Sequence, residues 1–310
     1  MKILVTGGAG FIGSNLTEFL LLKGHEVIII DDLSSGKIKN LSNCIKSIEV
    51  IEARVEDFDL TLLKGINAVV HLAAQASVPL SISNFKKSTT TNLLSSLNIF
   101  DFCVKNKLPL VYASSSAIYG EMELGNDDEE SVDLMTPYAV DKYALELYSK
   151  VFWKLNRLSS IGLRFFNVYG PRQDPTSPYS GVISIFVDKI LKCKKVTING
   201  GNQTRDFVYI DDVVRAVYKS LILCQDQCVN DNINILTGIE SSIIELFTTI
   251  SNEINIPNTK ILKPMLVGDP YKSNGTSIKM QELLDLDIES FVSLDEGLRR
   301  TIEFMSNNDG

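Results

Sequence analysis

Tyr138 and Lys142 stand four residues apart in a stretch with the apolar spacing of a helix. Side chains at i and i+4 share one helix face. An ammonium group beside a phenol favours the phenolate, so we expect Lys142 to lower the pKa of Tyr138 toward working pH. Thr136 and Pro137 suit the start of that helix. The spacing alone leaves a second interpretation open, in which both residues lie on a solvated surface.

Three consecutive serines, Ser114, Ser115 and Ser116, directly follow a predicted strand at 110–113. In an open α/β sheet, ligands bind beyond the carboxyl ends of the strands. We therefore expect these hydroxyl groups to face the same site as Tyr138. A serine-rich turn without chemistry is the alternative when the segment is considered alone.

Gly7, Gly10 and Gly13 form a GxxGxxG pattern between the first predicted strand and the first predicted helix. Glycine permits a tight turn and lets the backbone approach a pyrophosphate, which then binds at the helix N-terminus. Asp31 ends the second predicted strand, where a carboxylate can accept hydrogen bonds from an adenosine ribose. Because an acid repels a 2′-phosphate, NAD is favoured over NADP. The alternative is a structural glycine turn with an aspartate that caps the next loop.

Short apolar runs alternate with longer helical patterns through the first 165 residues. This order predicts βαβ units with right-handed crossovers, and hence an α/β fold with a Rossmann-type, doubly wound parallel sheet. The predicted strands are 2–6, 26–30, 50–52, 68–72, 110–113 and 160–164. The predicted helices are 11–23, 60–64, 83–107 and 138–155.

After position 165 the pattern becomes irregular, and Gly170-Pro171 and Asp174-Pro175 punctuate a loop. Further helices are expected at 181–192, 211–224 and 242–254. We therefore predict an NAD-binding Rossmann domain at 1–165 and a smaller, irregular substrate-binding lobe at 166–310. Some later segments are expected to return to the first domain.

The composition excludes several classes of protein. The 310 residues are 45% hydrophobic and 22% charged, with a net charge of −8. These values are ordinary for a globular protein, and the acidic balance argues against nucleic-acid binding. The apolar start is interrupted by Asn15, Thr17 and Glu18, unlike a secretory signal, and the sequence contains no run of about 18 apolar residues. We expect a cytoplasmic protein that does not span a membrane.

The five cysteines form no CxxC pair, which is unlike a disulfide framework and favours a reducing compartment. Cys224 and Cys228 are four residues apart on a predicted helix. Zinc needs further ligands, and the chain has 2 histidines. No metal site is therefore predicted.

Together, these motifs resemble the extended short-chain dehydrogenase/reductases, specifically the NAD-dependent nucleotide-sugar epimerase/dehydratase family. Within it, the chain is most similar to UDP-glucose and UDP-N-acetylglucosamine 4-epimerases. The resemblance covers nearly the whole chain. It rests on TGGAGFIGSNL at 6–16, DDLSSGK at 31–37, HLAAQASVP at 71–79, Asn92, SSSAIYG at 114–120, YAVDK at 138–142, RFFNVYGPRQ at 164–173 and TRDFVYIDDV at 204–213.

The resemblance implies a role for each matching position. Tyr138 would be the general base and acid, Lys142 its electrostatic partner and nicotinamide-ribose ligand, and Ser115 the catalytic hydroxyl. The implied NAD-binding residues are Gly7, Gly10, Phe11, Ile12, Gly13, Asp31, Asp32, Ser34, Ser35, Gly36, Arg54, Val55, Leu72, Ala73, Ala74, Gln75, Asn92, Ser114, Tyr138, Lys142 and Phe165. The implied substrate-binding residues are Ser77, Ser115, Ser116, Asn167, Val182, Asn199, Arg205, Asp269 and Ser273.

The resemblance also implies a reaction, the 4-epimerisation of a UDP-hexose through a transient 4-keto sugar. Dehydratases and decarboxylases of the family carry an acidic residue just after the catalytic hydroxyl, whereas Ser116 is followed here by Ala117 and Ile118. Ser273 occupies a position where a tyrosine excludes an acetamido group. UDP-N-acetylglucosamine and UDP-N-acetylgalactosamine are therefore the preferred substrates, ahead of UDP-glucose and UDP-galactose. The alternatives are a uronate epimerase, reductase or dehydratase, and a non-catalytic NAD-binding regulator.

Two positions depart from the family pattern. Ala53-Arg54 replaces a Gly-Asp pair whose aspartate lies near the adenine, so Arg54 is expected to stack on the adenine or to contact a phosphate. Leu266 replaces an arginine that holds the substrate diphosphate, and Lys263 and Lys272 are candidate substitutes.

A homodimer is the implied assembly. Members of the family pair through a four-helix bundle, and the corresponding segments here, 83–107 and 143–155, carry apolar residues all round. A buried core position is the alternative explanation for those residues.

Overall fold

The computed structural model describes residues 1–177, 180–266 and 268–308. Within these residues the strands are β1 (Lys2–Thr6), β2 (Glu26–Asp31), β3 (Glu49–Glu52), β4 (Ala68–His71), β5 (Leu110–Ser115), β6 (Ser160–Phe165), β7 (Asn167–Tyr169), β8 (Val196–Asn199), β9 (Thr204–Tyr209), β10 (Asn230–Ile235), β11 (Glu240–Ser242) and β12 (Lys260–Lys263). The α-helices are α1 (Phe11–Leu22), α2 (Val78–Ser83), α3 (Phe85–Thr89), α4 (Ser95–Asn106), α5 (Pro137–Asn156), α6 (Val182–Leu191), α7 (Ile210–Asp226), α8 (Ile243–Ile254), α9 (Ile278–Leu284) and α10 (Leu294–Asn308).

Seven of these strands form one parallel sheet in the order β10-β6-β5-β4-β1-β2-β3. The strand order reverses between β1 and β4, which is where open α/β sheets bind their ligands. The predicted Rossmann-type, doubly wound fold is confirmed. In this sheet β10 lies beside β6, with Asn230 opposite Ser160 and Ile235 opposite Phe165. A segment from beyond position 165 therefore belongs to the main sheet.

The central strands are apolar because helices cover both faces of the sheet. Ile3 and Val5 pack in a cluster with residues of α1 and α7, whereas Leu4 packs on the opposite face with residues of α4 and α5. All three side chains are fully buried, and such continuous apolar runs are typical of a parallel sheet covered on both sides. A ligand can therefore approach this sheet at the ends of the strands but not through its faces.

The helix predicted at 60–64 is wrong. The structure has a single 3₁₀ turn there, Leu60–Leu62, and the Asp59 side chain accepts a hydrogen bond from the Thr61 N–H. An aspartate at this position stabilises a short turn by satisfying an N–H group that a helix leaves unpaired.

The helix predicted at 83–107 is largely confirmed, because the chain is helical without a gap over 85–106. It begins after Asn84 as α3, continues through a π-helical turn at Thr90–Leu94 and runs on as α4 from Ser95. Asn84 accepts from the Lys87 N–H at the start of this helix, and the Ser95 and Ser96 hydroxyls donate to the carbonyls of Thr91 and Asn92, four residues earlier. The π-helical turn is a local widening within the helix, which the spacing of the apolar residues does not reveal.

The lobe beside the main sheet contains a three-stranded sheet, β11-β9-β7, and a two-stranded sheet, β12-β8. Phe186 of α6 and Phe247 of α8 pack edge to face in its core, and Leu298 of α10 joins the same cluster. The loop after β7 reaches back to α1, because the Asn15 Nδ2 donates to the Pro171 carbonyl at 3.2 Å. Within the described ranges, no helix is both long enough and apolar enough to cross a membrane.

Candidate active site

A cavity of about 860 Å³ lies at the carboxyl ends of β1, β4 and β5 and is bounded on its other side by residues of the small lobe. The site residues predicted from the sequence line this cavity, with the exception of Gly36, Gln75, Ser77 and Asn92. The structure therefore brings the glycine-rich turn, the serines after β5, the tyrosine–lysine pair and Arg205 to one continuous site.

The glycine-rich turn leaves no room for side chains. A Cβ on Gly7 would lie 2.7 Å from the Ala73 nitrogen, and Gly7 has a φ of +71°. A Cβ on Gly13 would lie 2.1 Å from the Gly7 oxygen. Helix α1 begins after Gly10 with no side-chain cap and no acidic residue in its first turn. Its first N–H groups and the positive end of its dipole thus suit a dinucleotide pyrophosphate, which fits an NAD site here.

Asp31 holds two loops in place at the end of β2. One carboxylate oxygen accepts from the Ala9 N–H and the other from the Leu33 N–H, each at 2.9 Å. Burial raises the pKa of this carboxyl, and the hydrogen bonds from Leu33 and Ala9 oppose that rise. Each oxygen retains a further lone pair, so the loop-capping role and the predicted ribose-binding role are compatible.

Arg54 lines the cavity near Val55 but does not stand free. Its guanidinium bonds to Glu56, and its Nε lies 3.8 Å from Asp57. About half of the side chain is exposed. Its pairing with these carboxylates leaves the faces of the guanidinium free to stack on an adenine, whereas a phosphate would have to compete with Glu56 and Asp57 for its N–H groups.

The chemical end of the cavity is formed where α5 meets the end of β5. The Ser115 side chain lies near enough to the Tyr138 phenol to lower its pKa, and the Lys142 Nζ lies 5.8 Å from the centre of the Tyr138 ring. Lys142 is buried and donates to the Ala113 carbonyl at 2.7 Å. The Ser115 Oγ also accepts from the Ala117 N–H at 3.1 Å. The serine, tyrosine and lysine predicted to be catalytic therefore lie together at this end of the cavity.

The prediction that the pKa of Tyr138 is lowered is wrong. Burial raises the pKa of this phenol, the hydrogen bond to Ser115 partly offsets that rise, and the charge of Asp141 adds to it. Burial also lowers the pKa of Lys142 to about 8, against the opposing effect of Asp141. Desolvation, which disfavours the charged form of both groups, is thus larger than the effect of their proximity.

Arg205 is a buried cation at the end of the cavity formed by the small lobe. Its guanidinium donates to the Thr204 carbonyl at 2.6 Å and forms an ion pair with Asp269. Asn167, Val182, Asn199 and Ser273 line the same end.

Leu266 stands where the family has an arginine that holds the substrate diphosphate. It is half exposed at the cavity wall and provides no charge there. Of the two candidate substitutes, Lys272 lines the cavity, whereas Lys263 lies on exposed β12 away from it. The Lys272 Nζ is 3.9 Å from a Glu240 oxygen.

Four predicted site residues lie behind the cavity wall. Asn92 accepts from the Gln75 N–H at 2.7 Å and donates to the Gln75 carbonyl at 3.1 Å. Ser77 caps the start of α2. A Cβ on Gly36 would lie 2.7 Å from a carboxylate oxygen of Asp31. These contacts support the loops that form the wall, and direct ligand contacts by the four residues remain predictions.

Two cations that line the cavity, Arg172 and Lys189, are absent from the predicted site residues, although Arg172 lies in the RFFNVYGPRQ motif at 164–173. Lys189 follows Val182 by seven residues on α6, so helical spacing from a predicted site residue could have identified it. Arg172 has a φ of +73° and pairs with Glu18 of α1 at 2.6 Å. The motif marks the arginine, but its pairing with a residue far away in the sequence could not be read from it.

Comparisons with known proteins give the same picture. Residues 3–235 match the NAD dependent epimerase/dehydratase family. A UDP-glucose 4-epimerase from Mycolicibacterium smegmatis is 34% identical over 316 residues, which is 99% of each chain. The crystal structure of UDP-glucose 4-epimerase from Thermotoga maritima with UDP-glucose is 36% identical and has a TM-score of 0.92 over 100% of both chains. UDP-N-acetylglucosamine 4-epimerase from Methanobrevibacter ruminantium, in complex with UDP-N-acetylmuramic acid, is 35% identical, with a TM-score of 0.89 over 99% of this chain and 98% of that one.

The fold and the cavity are those of a dinucleotide-dependent enzyme. The comparisons narrow that class, and the chain belongs to the NAD-dependent epimerase/dehydratase family. The NAD cofactor and the epimerase type of enzyme predicted from the sequence are confirmed at this level.

Gly13→Ala is expected to weaken NAD binding roughly ten-fold or more, because forced overpacking costs about 1–3 kcal/mol. The new methyl group would meet the Gly7 oxygen at 2.1 Å and push the turn away from the pyrophosphate. Gly24→Ala is the matched control, since its Cβ meets no atom within 4 Å although its φ is +79°. Titration of NAD by calorimetry measures both variants, and equal affinities for the two would contradict the assignment of the turn.

Proposed function

We propose that this protein is a UDP-hexose 4-epimerase that acts on UDP-N-acetylglucosamine and UDP-N-acetylgalactosamine in preference to UDP-glucose and UDP-galactose. The observation that carries the proposal is that Ser115, Tyr138 and Lys142 line the same cavity as Arg205 and Ser273. A nucleotide sugar with its diphosphate near Arg205 can therefore bring its hexose to the hydroxyl groups. The similarity to named UDP-sugar 4-epimerases supports this reading.

In the proposed reaction, Tyr138 takes the proton of the sugar 4-hydroxyl, directly or through the Ser115 hydroxyl that bonds to it. NAD held at the glycine-rich turn would supply a reversible hydride acceptor for C4, and a 4-keto sugar that turns within the cavity would present its opposite face to it. Tyr138 would then return the proton to the sugar oxygen. Lys142 in its charged form stabilises the phenolate, and a pKa of about 8 keeps it mostly charged at neutral pH. Placement of the sugar against these groups provides much of the rate.

The preference for an acetamido sugar rests on the size of Ser273. Its backbone is fixed, because its carbonyl accepts from the Asp206 N–H at 3.2 Å. Its small side chain lines the cavity and leaves space beside the sugar that a larger residue would fill. The acetyl group of a 2-acetamido sugar is the proposed occupant of that space.

The proposed diphosphate site uses Arg205 with Lys272 as a second cation. Asp269 now pairs with Arg205, so the diphosphate must compete with this carboxylate for the guanidinium. Lys272 is about half exposed and can move toward the ligand from its position near Glu240. In this proposal the flexible ammonium group of Lys272 takes the place of a second arginine, whose planar guanidinium would bind the diphosphate through two fixed N–H groups.

A dehydratase or decarboxylase mechanism is less favoured by the site. Such chemistry needs an additional base beyond C4, and the cavity wall after the catalytic hydroxyl consists of Ser116 and Ala117. Neither residue can take a proton from carbon.

We also propose that the enzyme is a homodimer that pairs through α5. Val140, Leu147 and Val151 are each 45–49% exposed and recur at spacings of seven and four residues. Tyr148 and Leu155 extend the exposed apolar stripe. A helical stripe with this period fits the same stripe on a second copy, as two-fold symmetry requires.

Tyr138→Phe is expected to lower kcat by about 10²–10⁴-fold while NAD stays bound, because it removes the acid and base without removing the ring. Tyr148→Phe on the outer face of α5 is the matched control and should keep full turnover. Turnover is followed with UDP-sugars by NMR, and mass analysis of the nucleotide released on denaturation reports NAD. If Tyr138→Phe turns over at the wild-type rate, the catalytic assignment is wrong.

Ser273→Tyr is expected to abolish turnover of UDP-N-acetylglucosamine and to spare UDP-glucose, because the added ring fills the space proposed for the acetyl group. Ser273→Ala should keep activity on both sugars. The ratio of kcat/KM for the two sugars is the measurement. A wild-type enzyme that does not interconvert the acetamido sugars would overturn the preference.

Leu147→Asp combined with Val151→Asp is expected to convert the dimer to a monomer in sedimentation, because it places charges at the centre of an apolar interface. Leu22→Asp changes an equally apolar but 86% exposed residue on α1 and should leave the mass unchanged. A wild-type protein that sediments as a monomer would refute the proposed pairing.

A further inference from the structure

Three residues on successive turns of α5 reach three consecutive residues at the end of β5. Lys142 donates to the Ala113 carbonyl, Glu146 accepts from the Ser114 hydroxyl at 2.5 Å, and Tyr138 lies near enough to Ser115 for that side chain to lower the pKa of the phenol. Tyr138 and Lys142 are the predicted catalytic pair. Glu146 lies four residues beyond Lys142 on the same helix face, and the reaction described above gives it no role.

Glu146 is also half of a buried ion pair. Its two oxygens accept from the Nε and Nη2 of Arg164 on β6 at 2.9 and 2.7 Å, and the two side chains are 1% and 4% exposed. Although burial acts to lower the pKa of the Arg164 guanidinium, the bonds to Glu146 raise that pKa above its ordinary value. Two-fold bonding of this kind fixes the orientation of the carboxylate as well as its charge.

The remaining arm of Arg164 anchors the segment beyond Ser115. Its Nη1 donates to the Tyr119 hydroxyl at 2.6 Å, and that hydroxyl donates in turn to the Asn234 side chain at 2.7 Å. Ser114 and Tyr119 therefore hold the chain on both sides of Ser115, and both are held by the same ion pair.

We propose that Glu146, fixed by Arg164, is a positioning residue that sets Ser115 against Tyr138 by holding the Ser114 hydroxyl. The expected kinetic effects rest on the proposed epimerase function. The hydrogen bonds of Glu146 to Ser114 and Arg164 are independent of that function. The bond from Ser114 to Glu146 fixes the position of the end of β5 along the axis of α5. That position sets the distance from the Ser115 hydroxyl to the Tyr138 phenol. A misplacement of about 1 Å at such a site costs up to about 10²-fold in rate.

The competing explanation is that the ion pair stabilises the fold and nothing more. Removal of one partner alone would leave a buried charge unpaired and destabilise the protein under either explanation. The decisive variants must therefore remove both charges and differ only in the acceptor for Ser114.

Two matched double variants make this comparison. Glu146→Gln with Arg164→Met keeps an amide oxygen that can accept from Ser114, whereas Glu146→Met with Arg164→Met keeps the volume without any acceptor. Both lack the buried charges and should fold. We expect the Met variant to have a kcat about ten-fold below that of the Gln variant, with KM for the UDP-sugar unchanged and similar thermal stability. Ser114→Ala, which leaves the ion pair intact, should lower kcat to a similar degree.

A readout that needs no turnover separates this proposal from the epimerase proposal. The bond from Ser115 acts to lower the pKa of Tyr138, so loss of that bond should raise the pKa of the phenol. The other titratable groups near the phenol are Asp141 and Lys142 on α5 and His71 on β4. Burial lowers the pKa of His71 to about 3, so the imidazole stays neutral. Ultraviolet titration of each variant, minus the same variant with Tyr138→Phe, isolates this phenol.

The expected result is a higher Tyr138 pKa in the Met double variant than in the Gln double variant. Equal pKa values and equal kcat in the two folded variants would refute the positioning role and leave a structural ion pair. A pKa difference in an enzyme that does not turn over UDP-hexoses would support the positioning role while refuting the proposed function.

Discussion

The contact between α5 and the end of β5 is the interaction on which the rest of the site depends. Lys142 is buried, yet its ammonium group donates to the Ala113 carbonyl at 2.7 Å, which ties the helix to the strand through a charged hydrogen bond. Burial of this ammonium costs free energy, and the bond to a carbonyl recovers part of it. The result of this burial is a cation held near the Tyr138 phenol, which is itself desolvated. A shift of the helix along the strand would separate the cation, the phenol and the Ser115 hydroxyl together.

The second constraint is that a protein with a net charge of −8 must bind two anionic groups, because the cofactor and the proposed substrate both carry a diphosphate. For the cofactor the protein needs no side-chain charge, since the uncapped start of α1 presents N–H groups where Gly7 and Gly13 exclude any Cβ. For the substrate it has Arg205, which is held by Asp269, and Lys272, which is half exposed. The two diphosphates are thus expected to bind differently, one to rigid backbone dipoles and one to exchangeable ion pairs.

Patterns local in the sequence were sufficient for much of this site. The buried strands, the glycine-rich turn and the Tyr138–Lys142 spacing each follow from a few neighbouring residues, and the structure brings them to one cavity. What could not be predicted depends on burial or on distant partners. The raised pKa of Tyr138 reflects desolvation, which the spacing to Lys142 does not reveal. The Glu146–Arg164 pair joins a helix to a strand 18 residues away, and the helix predicted at 83–107 contains a π-helical turn that its apolar spacing does not reveal.

Helix α5 connects these observations, because its opposite faces carry different tasks. Tyr138, Lys142 and Glu146 repeat every four residues toward β5, whereas Val140, Leu147 and Val151 form the exposed stripe. In the proposed dimer the helix would be packed on both sides, so its position along β5 would be fixed by the second copy as well as by the hydrogen bonds. The exposed apolar residues would then act on the helix that carries the proposed catalytic groups. Association would oppose any shift of α5 along β5, and the oligomeric state would be coupled through this helix to the relative positions of Ser115 and Tyr138.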